Sequence, residues 1–161
     1  MPFSKISVRY LPYGVIILYD RDTMTNPERV LEAYKAAVYA KDVDAFMSLY
    51  DEDVQVFDMW GTWSYDGAAA WRGMVTDWFA SLGTERVVVD MEEVQTILTD
   101  EVAVAHAFVT YRGVSAEGQA LRAMQNRLTC VLKQRGGTWK IVHEHSSAPA
   151  DFETSKVILQ R

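Results

Sequence analysis

From residue 26 to residue 83 the apolar positions recur every three or four residues, with one short break at 54–58. From residue 86 they recur every second residue. The first spacing is that of helices burying one stripe, and the second that of half-buried strands. Asn26 suits an N-cap, Pro27 the first helical position, where its missing N–H is no loss, and Glu28 faces the positive end of the helix dipole. Val30, Leu31, Tyr34, Ala37 and Val38 then form one stripe, which predicts a helix to about Ala40 with the Tyr34 ring on its buried side. Asp42 caps a second, short helix whose inner face is Val43, Phe46, Met47 and Tyr50, and Asp51-Glu52-Asp53 is expected to end it as a solvated acidic turn. Residues 54–58 alternate as a strand, and 59–67 form a turn-rich loop. A third helix opens at Asp66 or Gly67, buries Trp71, Met74, Val75, Trp78, Phe79 and Leu82, and stops at Gly83.

The second half reads as four strands. The first is Arg86–Leu98, long or broken, turning at 99–101; the others are 102–112, 119–134 and 138–145, with Gly136-Gly137 as the last hairpin turn. Helices followed by a meander indicate an α+β fold: a cone-shaped, curved antiparallel sheet wrapped over about three N-terminal helices. Residues 25–149 make the domain. Residues 1–24, broken by Pro12 and Gly14, are an appendage with at most one short strand, and Met24 is an alternative start. Residues 150–161 follow Pro149 as a loosely held tail.

Length and composition fit one domain of 161 residues, 49% hydrophobic and 24% charged, able to bury a core without staples. Five Trp, eight Tyr and six Phe suit a lined pocket or a plain core. A net charge of −6 without a Lys/Arg cluster argues against nucleic acid as a partner. The lone Cys130 rules out an internal disulfide and a Cys-based zinc site, and its strand position predicts a small buried hydrophobe. The apolar run 14–19 is too short to cross a bilayer, and no small-residue cleavage site follows it before Arg21 and Asp22. A cytoplasmic protein with no membrane partner is therefore expected.

Strand parity selects the candidate site residues. Val54, Val56 and Asp58 share a face, so a cavity lined by the valines receives the Asp58 carboxylate, where desolvation suits it to act as a base. Val104, His106 and Phe108 oppose three alanines, and His106 enters the cavity if the bulky face is concave. His143 and His145 share parity with Trp139 and Ile141; with the opposite parity, Glu144 enters instead. Trp60 and Trp63 in the loop, with Trp71 beyond it, are candidates to roof the pocket, the core being the other place for Trp71. The histidines lack a metal-binding spacing, and no metal is expected.

The order helix, helix, strand from Tyr34 to Asp58, together with the later Gly136-Gly-Thr-Trp-Lys-Ile-Val-His-Glu-His-Ser146 segment, resembles the SnoaL-like branch of the nuclear transport factor 2-like superfamily over residues 26–149. Ketosteroid isomerase is one relative. Its tyrosine oxyanion donor and aspartate base have the same separation as Tyr34 and Asp58 here, so the resemblance implies those roles, within a cofactor-independent isomerase, cyclase or dehydratase that removes a proton next to a carbonyl. Where that enzyme carries its protonated acid this chain has Asn126-Arg127-Leu128-Thr129, and Arg127 entering the pocket implies an anionic ligand or a lowered Asp58 pKa. The C-terminal half is similar to the association domain of calcium/calmodulin-dependent protein kinase II, which implies a noncatalytic ligand-binding or association module instead. Either likeness implies a homodimer, which would also cover the outer face of an open sheet.

Overall fold

The computed structural model describes residues 6–10, 16–20 and 26–161. Met24 lies outside the described residues. Helix α1 spans Glu28–Ala40 and buries the expected stripe, Val30, Leu31, Tyr34, Ala37 and Val38. Asn26 Oδ1 accepts from the Glu28 N–H at 2.9 Å, satisfying one of the free donors of the first turn. Lys41 closes the helix in the left-handed region (φ 56°), and its ammonium reaches the Gly83 carbonyl at 2.6 Å. Helix α2, Val43–Met47, starts at Asp42, whose carboxylate accepts from the Ala45 N–H. Helix α3, Ala68–Ser81, buries Trp71, Val75 and Phe79.

The strands are β1 (Ile6–Tyr10), β2 (Ile16–Asp20), β3 (Tyr50–Phe57), β4 (Tyr65–Asp66), β5 (Arg86–Leu98), β6 (Val102–Val114), β7 (Ala120–Arg135) and β8 (Thr138–Ser147). β1 and β2 form an antiparallel pair, two strands where the N-terminal pattern predicts at most one. The other six form one curved, unclosed sheet in the order β4-β3-β8-β7-β6-β5. The sheet is mixed rather than antiparallel throughout, because β3 runs parallel to β8. β3 also begins earlier than the pattern predicts: the acidic run 51–53 lies within the strand, with Asp51 held by Arg135 at 2.8 Å.

The core lies between the helices and the inner sheet face. Phe46 is fully buried at its centre, its ring 4.8 Å from Tyr34, 5.3 Å from Tyr50 and 5.8 Å from Phe79. On β6 the inner face is the small one, Ala103, Ala105 and Ala107 with Val109. Small side chains there leave volume for the aromatic rings coming from the helices. On β7 the inner residues are Asn126, Leu128, Cys130 and Leu132, which confirms Cys130 as a buried thiol.

In β8 the pairing with β7 slips by one residue: Leu132 faces Ile141, but Val131 faces His143. One extra residue in a strand inverts the parity of everything after it. Trp139 and Ile141 point into the core before the bulge, Glu144 and Ser146 after it.

The tail is pinned rather than loose. The Gln125 N–H donates to the Leu159 carbonyl at 2.7 Å, and the Arg161 guanidinium stacks 3.9 Å from the Phe108 ring and pairs with Glu93. Because Phe46 is fully buried and packs against Tyr34, Tyr50 and Phe79, Phe46→Ala is expected to cost about 3–5 kcal/mol in urea unfolding, and Phe46→Leu clearly less.

Candidate functional site

Inside the mouth of the curved sheet is a cavity of about 640 Å³. Its walls are mostly apolar, with Trp71, Met74 and Trp78 from α3 and Val87 from β5. Its polar groups include Tyr34 from α1, Asp58 at the end of β3, Tyr111 from β6, and Glu144 with Ser146 from β8. The parallel register explains how Asp58, Glu144 and Ser146 come together. Val56 pairs with Glu144 and Phe57 with His145, so Asp58 falls beside Ser146 on the inner face. Ser146 Oγ donates to Asp58 Oδ1 at 2.7 Å while accepting from the Met59 N–H at 2.8 Å, and the Trp60 N–H donates to Asp58 Oδ2 at 3.2 Å.

Glu144 is 3% exposed, and the Tyr50 hydroxyl donates to its Oε2 at 2.6 Å. Tyr34 and Tyr111 join their hydroxyls at 3.0 Å. Whichever of the two donates, one hydroxyl hydrogen of the pair is left over for another acceptor. On β7 the cavity receives Asn126, whose Oδ1 is buried without a hydrogen-bond partner among the described residues. An unpaired buried amide of this kind costs about 1–3 kcal/mol until something donates to it. The turn at Gly61 (φ 79°) favours glycine, and a Cβ there would stand in tight contact, 3.1 Å, with the Tyr65 hydroxyl.

The structure therefore brings together Tyr34, Asp58, Trp60 and Trp71 of the residues singled out in the sequence. It does not bring the others. His106 is exposed on the outer face, because the alanines, not the bulky positions, face the helices. Arg127 is exposed there too, since Leu128, Cys130 and Leu132 hold the opposite parity, so it does not line this cavity; the β7 cation on its wall is Arg122. His143 and His145 are turned outward by the β8 bulge, where His143 Nδ1 donates to the Gln55 carbonyl and both rings pack edge-on against Phe57. Trp63 is 97% exposed, away from the cavity.

Tyr111, Asn126, Ser146, Trp78 and Leu159 also line the cavity and were not singled out as site residues. Tyr111 and Asn126 were findable, because each shares parity with an apolar series on its strand. No three His, Cys, Asp or Glu side chains among the described residues converge as a metal-binding set.

Burial dominates the electrostatics. It raises the Glu144 carboxyl from the usual 4.5 to about 7, with the negative charge of Asp58 adding to the rise and the Tyr50 hydrogen bond opposing it. Burial, followed by Tyr111, pushes the Tyr34 phenol well above its usual range, and burial followed by Glu144 does the same to Tyr111 and to the Cys130 thiol. The phenols are consequently donors, not bases, at neutral pH.

An unclosed curved sheet cupped over three helices, with polar groups at the base of an apolar cavity, defines the nuclear transport factor 2-like class of fold. More narrowly, residues 28–151 match the SnoaL-like domain, and the chain belongs to that family. A structure of a nuclear transport factor 2-like protein of unknown function from Pseudomonas putida KT2440 is 22% identical, with a TM-score of 0.75, covering 87% of this chain and 96% of that one. A putative calcium/calmodulin-dependent protein kinase II association domain from Xanthomonas campestris is 17% identical, with a TM-score of 0.65 and coverage of 92% and 98%. A putative aromatic ring hydroxylase from Novosphingobium aromaticivorans is 21% identical, with a TM-score of 0.63 and coverage of 74% and 84%. No curated protein matches the chain significantly. No helix among the described residues is long and apolar enough to cross a membrane.

Between pH 4.5 and about 7 the folded chain keeps a proton on Glu144 that the unfolded chain releases. The contribution of this group to stability is thus greatest below that window and is lost as pH rises through it. Glu144→Gln removes the penalty. Its melting temperature is expected to exceed that of the wild type at pH 8 by on the order of 5 °C, with the gap closing towards pH 4.5 in paired thermal scans.

Proposed function

We propose that this chain is a cofactor-independent enzyme that removes a proton next to the carbonyl of a small, partly apolar substrate, the step that begins isomerase, cyclase and dehydratase chemistry. The observation that carries this reading is the meeting of a carboxylate, Asp58, and a hydroxyl pair with a spare hydrogen, Tyr34 and Tyr111, in one largely apolar cavity. Asp58 takes the proton. Ser146 and the Trp60 N–H hold its carboxylate in one orientation, so little reorganisation accompanies the transfer. As charge develops on the substrate oxygen, the Tyr34 and Tyr111 pair donates its free hydrogen to it, in surroundings where such a bond is worth more than in water. His106 and Arg127, on the outer face, have no part in this step.

A noncatalytic association module is the second reading, favoured by one set of neighbours: two structures described as putative calcium/calmodulin-dependent protein kinase II association domains. Both readings accommodate a cytoplasmic homodimer. Its interface would be the outer sheet face, where Val104, Val131 and Phe57 are only half-buried, docked on a second copy of the chain.

Two measurements test these statements. In deuterated buffer, NMR of small enolisable ketones is expected to show deuterium entering beside the carbonyl in the presence of the wild type. Asp58→Asn is expected to lower that rate by about 100-fold or more, and Tyr34→Phe by about 10-fold or more. Ketones that bind without exchanging would leave the association reading standing. Light scattering at micromolar concentration is expected to give the mass of two chains, and a monomer mass would overturn the dimer.

A further inference from the structure

Glu144 has no task in the proton transfer just described, yet it is the most deeply buried carboxyl of the cavity. Oε2 accepts from Tyr50, while Oε1 makes no hydrogen bond among the described residues and no cation pairs with the group. We propose that Glu144 is the docking group for a ligand oxygen: as a neutral carboxylic acid it donates from Oε1, so the cavity takes uncharged compounds bearing an acceptor oxygen, such as ketones, esters or lactones, in preference to carboxylates and other anions. The proposal rests on the cavity being the ligand site and names the class of compound that fits it.

The groups facing Glu144 agree on the sign. Tyr34 from α1, Tyr50 and Asp58 from β3 and its end, Tyr111 from β6 and Cys130 from β7 are the titratable neighbours whose charges act on it or are acted on by it. None is a cation. Among the described residues Arg122 is the single cationic side chain on the cavity wall, and its guanidinium is 2.6 Å from the Glu85 carboxylate. An anionic ligand would therefore meet Asp58 with nothing at the floor to neutralise it.

With Tyr50 donating to Oε2, the acid's own proton belongs on Oε1, the oxygen left without a partner. Burial holds that proton up to about pH 7. Above this Glu144 becomes a second anion, an acceptor where a donor had been, and a carbonyl oxygen is repelled. Arg127, which would have reversed the preference towards anions, points out of the opposite face.

The test uses two compounds of one shape, 2-acetylnaphthalene and 2-naphthoate, in equilibrium dialysis against the full chain. Wild type is expected to bind the ketone at least about tenfold more tightly than the carboxylate at pH 6, and to lose at least about tenfold of its ketone affinity between pH 6 and pH 8.5. Glu144→Gln keeps a donor and cannot ionise. Its ketone affinity is expected to be flat across that range, which also separates Glu144 from the outward-facing His106, His143 and His145. A wild-type affinity that does not change with pH, a pH step that survives in Glu144→Gln, equal or tighter naphthoate binding, or no ketone binding at millimolar concentration would each overturn the proposal. A pH-dependent affinity without deuterium exchange retains Glu144 and refutes proton abstraction by Asp58. Exchange with a flat affinity does the reverse.

Discussion

The register in which β8 lies beside β3 is the constraint on which the cavity depends. The two strands run parallel, so their inward residues advance together, Val56 with Glu144 and then Asp58 with Ser146. Without the one-residue bulge, the face of β8 that carries Trp139 and Ile141 would continue through His143 and His145. Three imidazole and carboxylate positions would exchange faces, and Asp58 would lose the hydroxyl that orients it. A bulge costs a little sheet pairing locally. Here it lets one strand serve the core with its first half and the cavity floor with its second.

That floor concentrates buried polarity on an aromatic base. Phe46 packs against both Tyr34 and Tyr50, and through them underlies the Tyr34 to Tyr111 hydrogen bond and the Tyr50 to Glu144 hydrogen bond. The two carboxyls differ in support. Asp58 receives a hydroxyl and a backbone N–H and lies partly open, whereas Glu144 receives the Tyr50 hydroxyl and only a long contact from the Cys130 thiol at 4.0 Å and is buried, so the desolvation cost falls on Glu144. A buried acid that must stay protonated reduces stability at neutral pH and above. Groups of this kind persist where the structure around them specifies one arrangement.

The parts of the fold governed by local rules were legible in the sequence. The stripe of α1, the Asp42 cap, the Gly136-Gly137 turn and the inward parity of Val54, Val56 and Asp58 follow from spacing alone. The tertiary choices were not. Nothing in 138–147 announces where an extra residue will be accommodated, so the parity of its histidines was open until the pairing with β7 was known. On β6 the usual expectation that bulky residues face the core fails, because the helices bring the bulk and the sheet contributes alanines. The outward place of Arg127 is legible on its own strand: it alternates in phase with Lys133 and out of phase with Leu128, Cys130 and Leu132.

The displacement of Arg127 alters the chemistry more than any other correction. A guanidinium at the cavity floor, unlike that of Arg122 on the wall, which pairs with Glu85, would offset a carboxylate ligand and favour the charged forms of both acids. With Asn126 there in its place, the floor presents hydroxyls, an amide and two carboxyls, one of them retaining its proton towards neutral pH. Such a set supports a ligand that arrives neutral and acquires charge only during reaction, on the oxygen nearest the donors. Proton abstraction beside a carbonyl has that charge history: substrate and product are uncharged at the reacting centre, and the enolate between them is not. The tail bears on the same point. Leu159 contributes to the cavity wall from a segment held by the Gln125 N–H on the Leu159 carbonyl, by the Arg161 N–H on Gln125 Oε1 and by the Arg161 guanidinium on Phe108. An apolar wall on that side adds no polar group to compete with the donors at the floor, and the proposed proton transfer depends on those donors to stabilise its enolate.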